Sequence, residues 1–153
     1  MNRVLALEGL LRLGEQLRTQ HNDCTAEPMF LVERLVRDYG FDPQWSDDDI
    51  VWLSTDGDHD EADPEVATRL TEQYDLNCEP DQDGYTRTAY RERWEFRSAF
   101  LTRLAAETYI EQNRHRYREP LRVMTDSGYR NPEWIELRAA LVALATLGVS
   151  VNE

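Results

Sequence analysis

The sequence predicts an α+β domain: a small, mostly antiparallel sheet packed by an N-terminal helix, a central helix and a C-terminal amphipathic helix. Three observations carry that expectation. The stretch "YTRTAYRERWEFRSAFLT", residues 85–102, alternates with period two. The run "DIVWLS" is short, β-branched and bounded by acidic turn residues. Apolar residues recur at helical spacing near both ends of the chain.

Leu7, Leu10, Leu11 and Leu17 fall on one side of a helical wheel and predict a helix over 3–20. Gly9 and Gly14 each weaken it by roughly 1 kcal/mol relative to alanine. The next segment, "CTAEPMFLVERLVRDYG", reads two ways. Met29, Val32, Val36 and Tyr39 fit a helix capped by Thr25 and stopped by Gly40. Phe30 and Val32 against Met29, Leu31 and Leu35 fit a strand buried on both faces. The strand is preferred, with 26–39 left open between the two. Residues 55–84 are expected to be mainly loop, with one helix around "PEVATRLTEQYDL", where Val66, Leu70 and Tyr74 recur every four residues.

In the alternating stretch, Tyr90, Trp94, Phe96 and Phe100 share one face and Arg87, Arg91, Arg93, Glu95 and Arg97 the other, as in an antiparallel strand with one wet side. Thr102 then caps a helix running to about Arg116 and stopped by Pro120, and "LRVMTD" is a further strand. Asn131 as N-cap, Pro132 at the first helical position and Glu133 in the first turn start the last helix. Trp134, Leu137, Leu141 and Leu144 make it amphipathic, and Gly148 is expected to end it. Residues 1–153 are expected to form a single domain: an N-terminal helix (1–20), an acidic segment (38–86) and a strand–helix–strand–helix unit (86–148).

A chain of 153 residues can bury about 70% of its unfolded surface. Its apolar stretches are far shorter than the roughly 20 residues needed to cross a bilayer. The N-terminus is interrupted by Glu8, Gly9 and Arg12, unlike a secretory signal, so a cytoplasmic protein without membrane contact is expected. Cys24 and Cys78 do not make a disulfide framework and are expected as free thiols.

Charge is the strongest signal. The net charge of −13 is unevenly spread: residues 38–86 hold sixteen acids against Arg69 alone, giving −15, and the remainder holds sixteen arginines against fourteen acids, giving +2. The densest part, "STDGDHDEADPE" (54–65), has six acids in twelve positions. As a calcium loop it fails: Asp56, Asp58 and Asp60 occupy the first, third and fifth places, but the sixth is Glu61 rather than Gly and the twelfth is Ala67 rather than Glu. His21 and Cys24 have HxxC spacing with His59 and Cys78 as remote partners, yet a closed zinc site brings two tight pairs and only one exists. Neither a GxSxG elbow, a phosphate loop nor HExxH occurs. No catalytic residue, metal or cofactor is assigned, and a metal-dependent hydrolase using the central carboxylates stays a minor alternative.

Two binding readings compete. Carboxylates spaced along a surface can imitate a phosphate backbone and attract proteins with basic grooves. Asp47, Asp48, Asp49, Asp56, Asp58, Asp60, Glu61, Asp63 and Glu65 would form that surface, with Trp45 and Trp52 as aromatic anchors on either side of the aspartate triplet; core packing is the competing role, and it suits Trp52 better than Trp45. Alternatively, Arg87, Arg91, Arg93 and Arg97 beside Tyr90 and Trp94 would bind nucleic acid. The net charge disfavours that approach to a polyanion.

The stretches "CTAEPMFLVERLVRDYGFD", "DIVWLSTDGD", "YRERWEFRSAFLTRLAAETYIEQNRHR" and "SGYRNPEWIELRAAL", in this order, resemble a family of small, uncharacterised phage and prophage proteins, over roughly residues 24–144. That family has no assigned reaction, so no residue role carries over. What the resemblance implies is a setting: a phage-encoded accessory protein inside a bacterial host cell. By analogy with its class, the expected function is a non-enzymatic, DNA-mimic-like inhibitor of a host protein that handles nucleic acid, such as a defence nuclease complex. The alternatives are the arginine-face nucleic-acid binder and an immunity protein for a basic toxin. The sequence leaves the oligomeric state open.

Overall fold

Four helices and a five-stranded antiparallel sheet make up the computed structural model, which describes residues 3–23, 25–45, 49–57 and 60–150. In chain order the elements are α1 (Arg3–Thr19), β1 (Pro28–Phe41), β2 (Asp49–Ser54), α2 (Pro64–Asn77), β3 (Asp81–Gln82), β4 (Tyr85–Phe100), α3 (Arg103–Asn113), a 3₁₀ turn (Arg114–Arg116), β5 (Leu121–Ser127) and α4 (Pro132–Ser150). The strands lie in the order β2-β4-β1-β5, with β3 paired to the start of β4. The fold is therefore α+β on a small antiparallel sheet, and the ambiguous segment is a strand. Contacts divide the chain into two compact units, Met1–Leu35 with Trp94–Glu153, and Val36–Arg93; β1 and β4 contribute residues to both.

In the first unit, β1 and β5 pair antiparallel from Pro28↔Ser127 to Arg34↔Leu121. Phe30 and Val32 of β1 are fully buried against Ala106 of α3, with Phe100, Tyr109, Ile110 and Val123 around them. Thr102, itself buried, caps α3 by accepting a hydrogen bond from the Ala105 amide. Asn131 Oδ1 accepts from the Trp134 amide at 3.1 Å and starts α4 as its sequence predicts.

Helices α1 and α4 pack antiparallel: Gly14 meets Leu141 and Ala145, while Leu11 meets Gly148. A Cβ on Gly14 would lie 2.0 Å from the Leu141 carbonyl oxygen, and one on Gly148 would lie 2.6 Å from Leu11 Cδ2. This corrects two readings of the glycines. Gly148 does not end α4, which continues to Ser150; it makes room for Leu11. Gly14 allows the backbones to approach, a gain that its helix propensity hides. Arg138 is buried beneath α4, with Nη1 reaching the carbonyls of Pro28 and Leu101 at 3.5 Å and Nε 3.4 Å from Glu27. Burial pushes its guanidinium pKa down, and Glu27 opposes that.

In the second unit, β2 pairs antiparallel with β4 from Asp49↔Tyr90 to Ser54↔Tyr85. α2 packs on β2 through the fully buried Leu70, and Trp52 is buried with Nε1 donating to Thr71 Oγ1 at 3.1 Å. The outer edge of β2 is covered by the chain itself. Ser54 N–H donates to the Asp60 carbonyl, and the Ala62 amide donates to the Trp52 carbonyl, each at 2.8 Å, with Leu53 bridged to Glu61.

One part of the alternation in β4 fails. Tyr90 is buried, and Trp94 and Phe100 are half-buried, but Phe96 is 57% exposed. An antiparallel sheet tolerates a wet face, and the Phe96 ring lies mostly in water. Nor is any helix there long and apolar enough to cross a membrane.

Candidate functional site

The unit Val36–Arg93 contains seventeen acids and five arginines, a net −12 out of the whole chain's −13. Most of its described carboxylates face solvent. Asp49, Asp56, Asp60, Asp63 and Glu65 are exposed, and Trp45 is 86% exposed beside them in sequence. Asp47, Asp48 and Asp58 lie outside the described residues.

The α2 helix adds carboxylates that composition alone did not single out. Val66, Leu70 and Tyr74 point its inner side at β2. The opposite arc then carries Glu65, Glu72 and Asp75, with Leu76 at 88% exposure among them. Glu79 and Asp81 follow on the exposed connection to β4. A helical wheel of 64–77 contains this signal, since Glu65, Glu72 and Asp75 share the arc opposite the apolar stripe with Thr68 and Leu76. The one cation on it, Arg69, sits 3.5 Å from Asp83.

Glu61 behaves differently from the rest of the predicted surface. Its carboxylate accepts two hydrogen bonds from Arg37 Nη1, at 2.7 and 3.0 Å, and one from the Tyr39 hydroxyl at 2.7 Å. Arg37 also donates to Glu92 through Nε and Nη2, and its guanidinium lies 4.4 Å over the Tyr90 ring. Burial by itself would push the Glu61 carboxyl up, but the Tyr39 and Arg37 hydrogen bonds and the guanidinium charge outweigh it and hold the pKa below its ordinary 4.5. Burial first, then the bond to Glu61, pushes the Tyr39 phenol up to about 12. Glu61 is therefore a fastener of the 60–62 segment rather than a free surface charge.

A carboxyl held below its unfolded value adds stability above that value, and the contribution is lost as pH falls through the folded value. Glu61→Gln should therefore lower the melting temperature near neutral pH, with a loss of about 1 kcal/mol after solvent screening. The gap from the parent protein should close in acid. Melting curves across that range check this; a gap that persisted in acid would leave Glu61 without this role.

The arginines of the alternative reading are engaged within the molecule. Arg87 lies 4.2 Å over the Tyr74 ring and Arg91 4.6 Å over Phe41. Arg93 Nε donates to Asp38 Oδ2 at 2.6 Å, and Arg97 Nη1 donates to Glu95 Oε2 at 3.1 Å. Glu95 also accepts from Arg34, at 2.7 Å. An arginine paired with a carboxylate must give up that partner before the same N–H groups can contact a phosphate.

Of the zinc candidates, His21 is exposed with Nδ1 3.2 Å from Asp23 Oδ1, and Cys78 is an exposed free thiol at the end of α2. Cys24 and His59 lie outside the described residues. Among the described residues no three His, Cys, Asp or Glu side chains converge as metal ligands would. A cleft of about 490 Å³ in the acidic unit is lined by Tyr39, Gly40, Leu53, Ser54, Thr55, Thr86 and Thr88, hydroxyl and apolar groups without a carboxylate, imidazole or thiol. Neither protein-family models, nor curated proteins, nor solved structures yield a match to this chain.

Proposed function

We propose that this protein is a non-enzymatic acidic inhibitor: its Val36–Arg93 unit occupies the basic groove of a host protein that handles nucleic acid. The observation that carries this reading is the concentration of −12 in one compact unit whose described carboxylates are mostly solvent-exposed. Such a surface steers a cationic groove toward it and accelerates encounter. Leu76 and Trp45, both almost fully exposed, would supply apolar contact within the charged field. Among the described residues, Arg37, Arg69 and Arg93 pair with Glu61, Glu92, Asp83 and Asp38 within the unit. The phage setting comes from the resemblance of residues 24–144, and a defence nuclease complex is the partner class it suggests. An immunity protein facing a basic toxin would rest on the same physics and differ only in partner.

The test is capture from bacterial lysate on the immobilised protein at low salt, followed by elution with duplex DNA. Proteins whose nucleic-acid groove is occupied should be displaced by DNA and by raised salt. Changing Asp56, Asp60 and Asp63 to Asn and Glu65 to Gln should weaken capture tenfold or more and flatten its salt dependence. Changing Glu133 and Glu136 to Gln on α4 should leave capture as it was. Capture that ignores salt, or that DNA does not reverse, would refute the reading.

A further inference from the structure

One short segment reverses the sign of the chain. The Val36–Arg93 unit carries −12 of the −13, so the other unit carries only −1. Within that other unit, residues 114–118 read "RHRYR", three arginines and a histidine with no acid. Arg114, His115, Arg116 and Arg118 are all exposed, and none of the three arginines forms an ion pair or a side-chain hydrogen bond among the described residues. In this they differ from the β4 arginines, which rings and carboxylates hold.

The helix dipole favours cations just past the end of α3, which accounts for Arg114 and Arg116. It does not account for Arg118, which follows the 3₁₀ turn, nor for the shape beside it. The segment is tied down by backbone: the Tyr117 amide donates to the Arg114 carbonyl at 3.2 Å, and the Leu35 amide donates to the Pro120 carbonyl at 3.0 Å. A cleft of about 280 Å³ is lined by Arg114 and Arg118, by Glu119, and by Tyr117 with Ile110 and Pro120. Tyr117 is itself fixed, its hydroxyl 3.5 Å from that of Tyr109 and its ring centre 5.7 Å from the Arg97 guanidinium. The Tyr109 bond first, and then Arg97, hold the Tyr117 phenol below its ordinary pKa of 10, with the charge of Arg34 adding to them. Glu119 stands 4.0 Å from Arg34 Nη1, which offsets part of its charge.

Such a cleft suits a small ligand with an anionic end and a flat ring. Guanidinium forks match phosphate oxygens, and an aromatic side chain stacks on any base. The volume is at the small end of ligand clefts, which begin at roughly 300 Å³, so it admits one compact molecule. An extended polyanion suits the protein less, because the net charge of −13 repels it. We propose that the 114–120 segment binds a nucleoside monophosphate, with the phosphate on Arg114 and Arg118, the base against Tyr117, and Glu119 accepting from a sugar hydroxyl. Arg116 and His115 add to the field that draws the phosphate in. The site lies wholly outside the Val36–Arg93 unit, so it stands or falls apart from the inhibitor reading.

Equilibrium dialysis of the full chain against AMP at low salt should show saturable binding. Adenosine and inorganic phosphate should each bind about tenfold or more weaker than AMP, since each makes only one of the two contacts. Arg114→Gln and Arg118→Gln should each weaken AMP binding by about tenfold and leave the melting temperature as it was, both side chains being exposed. Tyr117→Leu should weaken AMP and adenosine alike but spare inorganic phosphate. Arg130→Gln, an exposed arginine between β5 and α4, should leave AMP binding unchanged. Three results would overturn the proposal: no saturable binding at millimolar AMP, inorganic phosphate bound as tightly as AMP, or AMP binding indifferent to both arginine changes. A short oligothymidylate bound more tightly than AMP would overturn it too, in favour of a nucleic-acid surface.

Discussion

Gly14→Ala is expected to destabilise the protein by about 3 kcal/mol, while Gly9→Ala, five residues earlier on the same helix, stabilises it by up to about 1 kcal/mol. Helix propensity favours alanine at both positions to the same degree. The difference is space. Nothing lies within 4 Å of a Cβ built on Gly9, whereas one on Gly14 would meet the Leu141 carbonyl oxygen at 2.0 Å and Ala145 Cβ at 2.9 Å. A side-chain tip could turn away from such an overlap, but a helix carbonyl cannot. α1 and α4 would have to separate, losing contact along their whole seam. Urea unfolding followed by far-ultraviolet circular dichroism gives both signs in one comparison. Equal shifts in the same direction would show that the two helices do not approach at Gly14.

Phe30→Ala should cost about 3–5 kcal/mol, a large part of the roughly 5–15 kcal/mol that holds a domain of this size together. Phe30 is wholly buried at the centre of the cluster with Val32 and Ala106, and Phe100, Tyr109, Ile110 and Val123 pack around it. The Arg103 guanidinium lies 5.1 Å from its ring centre. Removing the ring leaves a cavity between a sheet and a helix whose backbones are already fixed by the β1–β5 ladder and the Thr102 cap, so little collapse can follow. Phe96→Ala is the control, because its ring is mostly in water and its loss should cost under about 1 kcal/mol. Chemical denaturation of both variants measures the contrast, and comparable losses would place Phe96 in a core the structure does not show.

Much of the architecture was legible in the order of residues. Asn131-Pro132 marked the start of α4, Thr102 marked the start of α3, and the period of two from Tyr85 marked β4, because each signal is a local match between a side chain and its own backbone. Trp52 was likewise readable as core. The glycines were not. Gly14 and Gly148 read as a weak point and a stop, since the reason for each lies on the other helix, more than one hundred residues away in sequence. Phe96 read as buried because alternation tells which face a residue joins, not whether anything covers that face.

The candidate site divides along the same line. Its sign and concentration were determined by composition, since carboxylates in a short stretch carry their charge into any fold. Which of them stay available depended on distant partners: β1 brings Arg37 and Tyr39 onto Glu61, and the apolar stripe of α2 turns Glu72 and Asp75 outward. The arginines near Tyr90 looked like a phosphate-binding face until the fold supplied Tyr74, Phe41 and Asp38 as their partners. The sequence by itself determined the periodicities, the caps and where the charge is dense, because those depend on neighbours along the chain. Only the tertiary structure decided which charges are spent internally and which glycines are needed, because each is settled by atoms that the chain brings together from far apart.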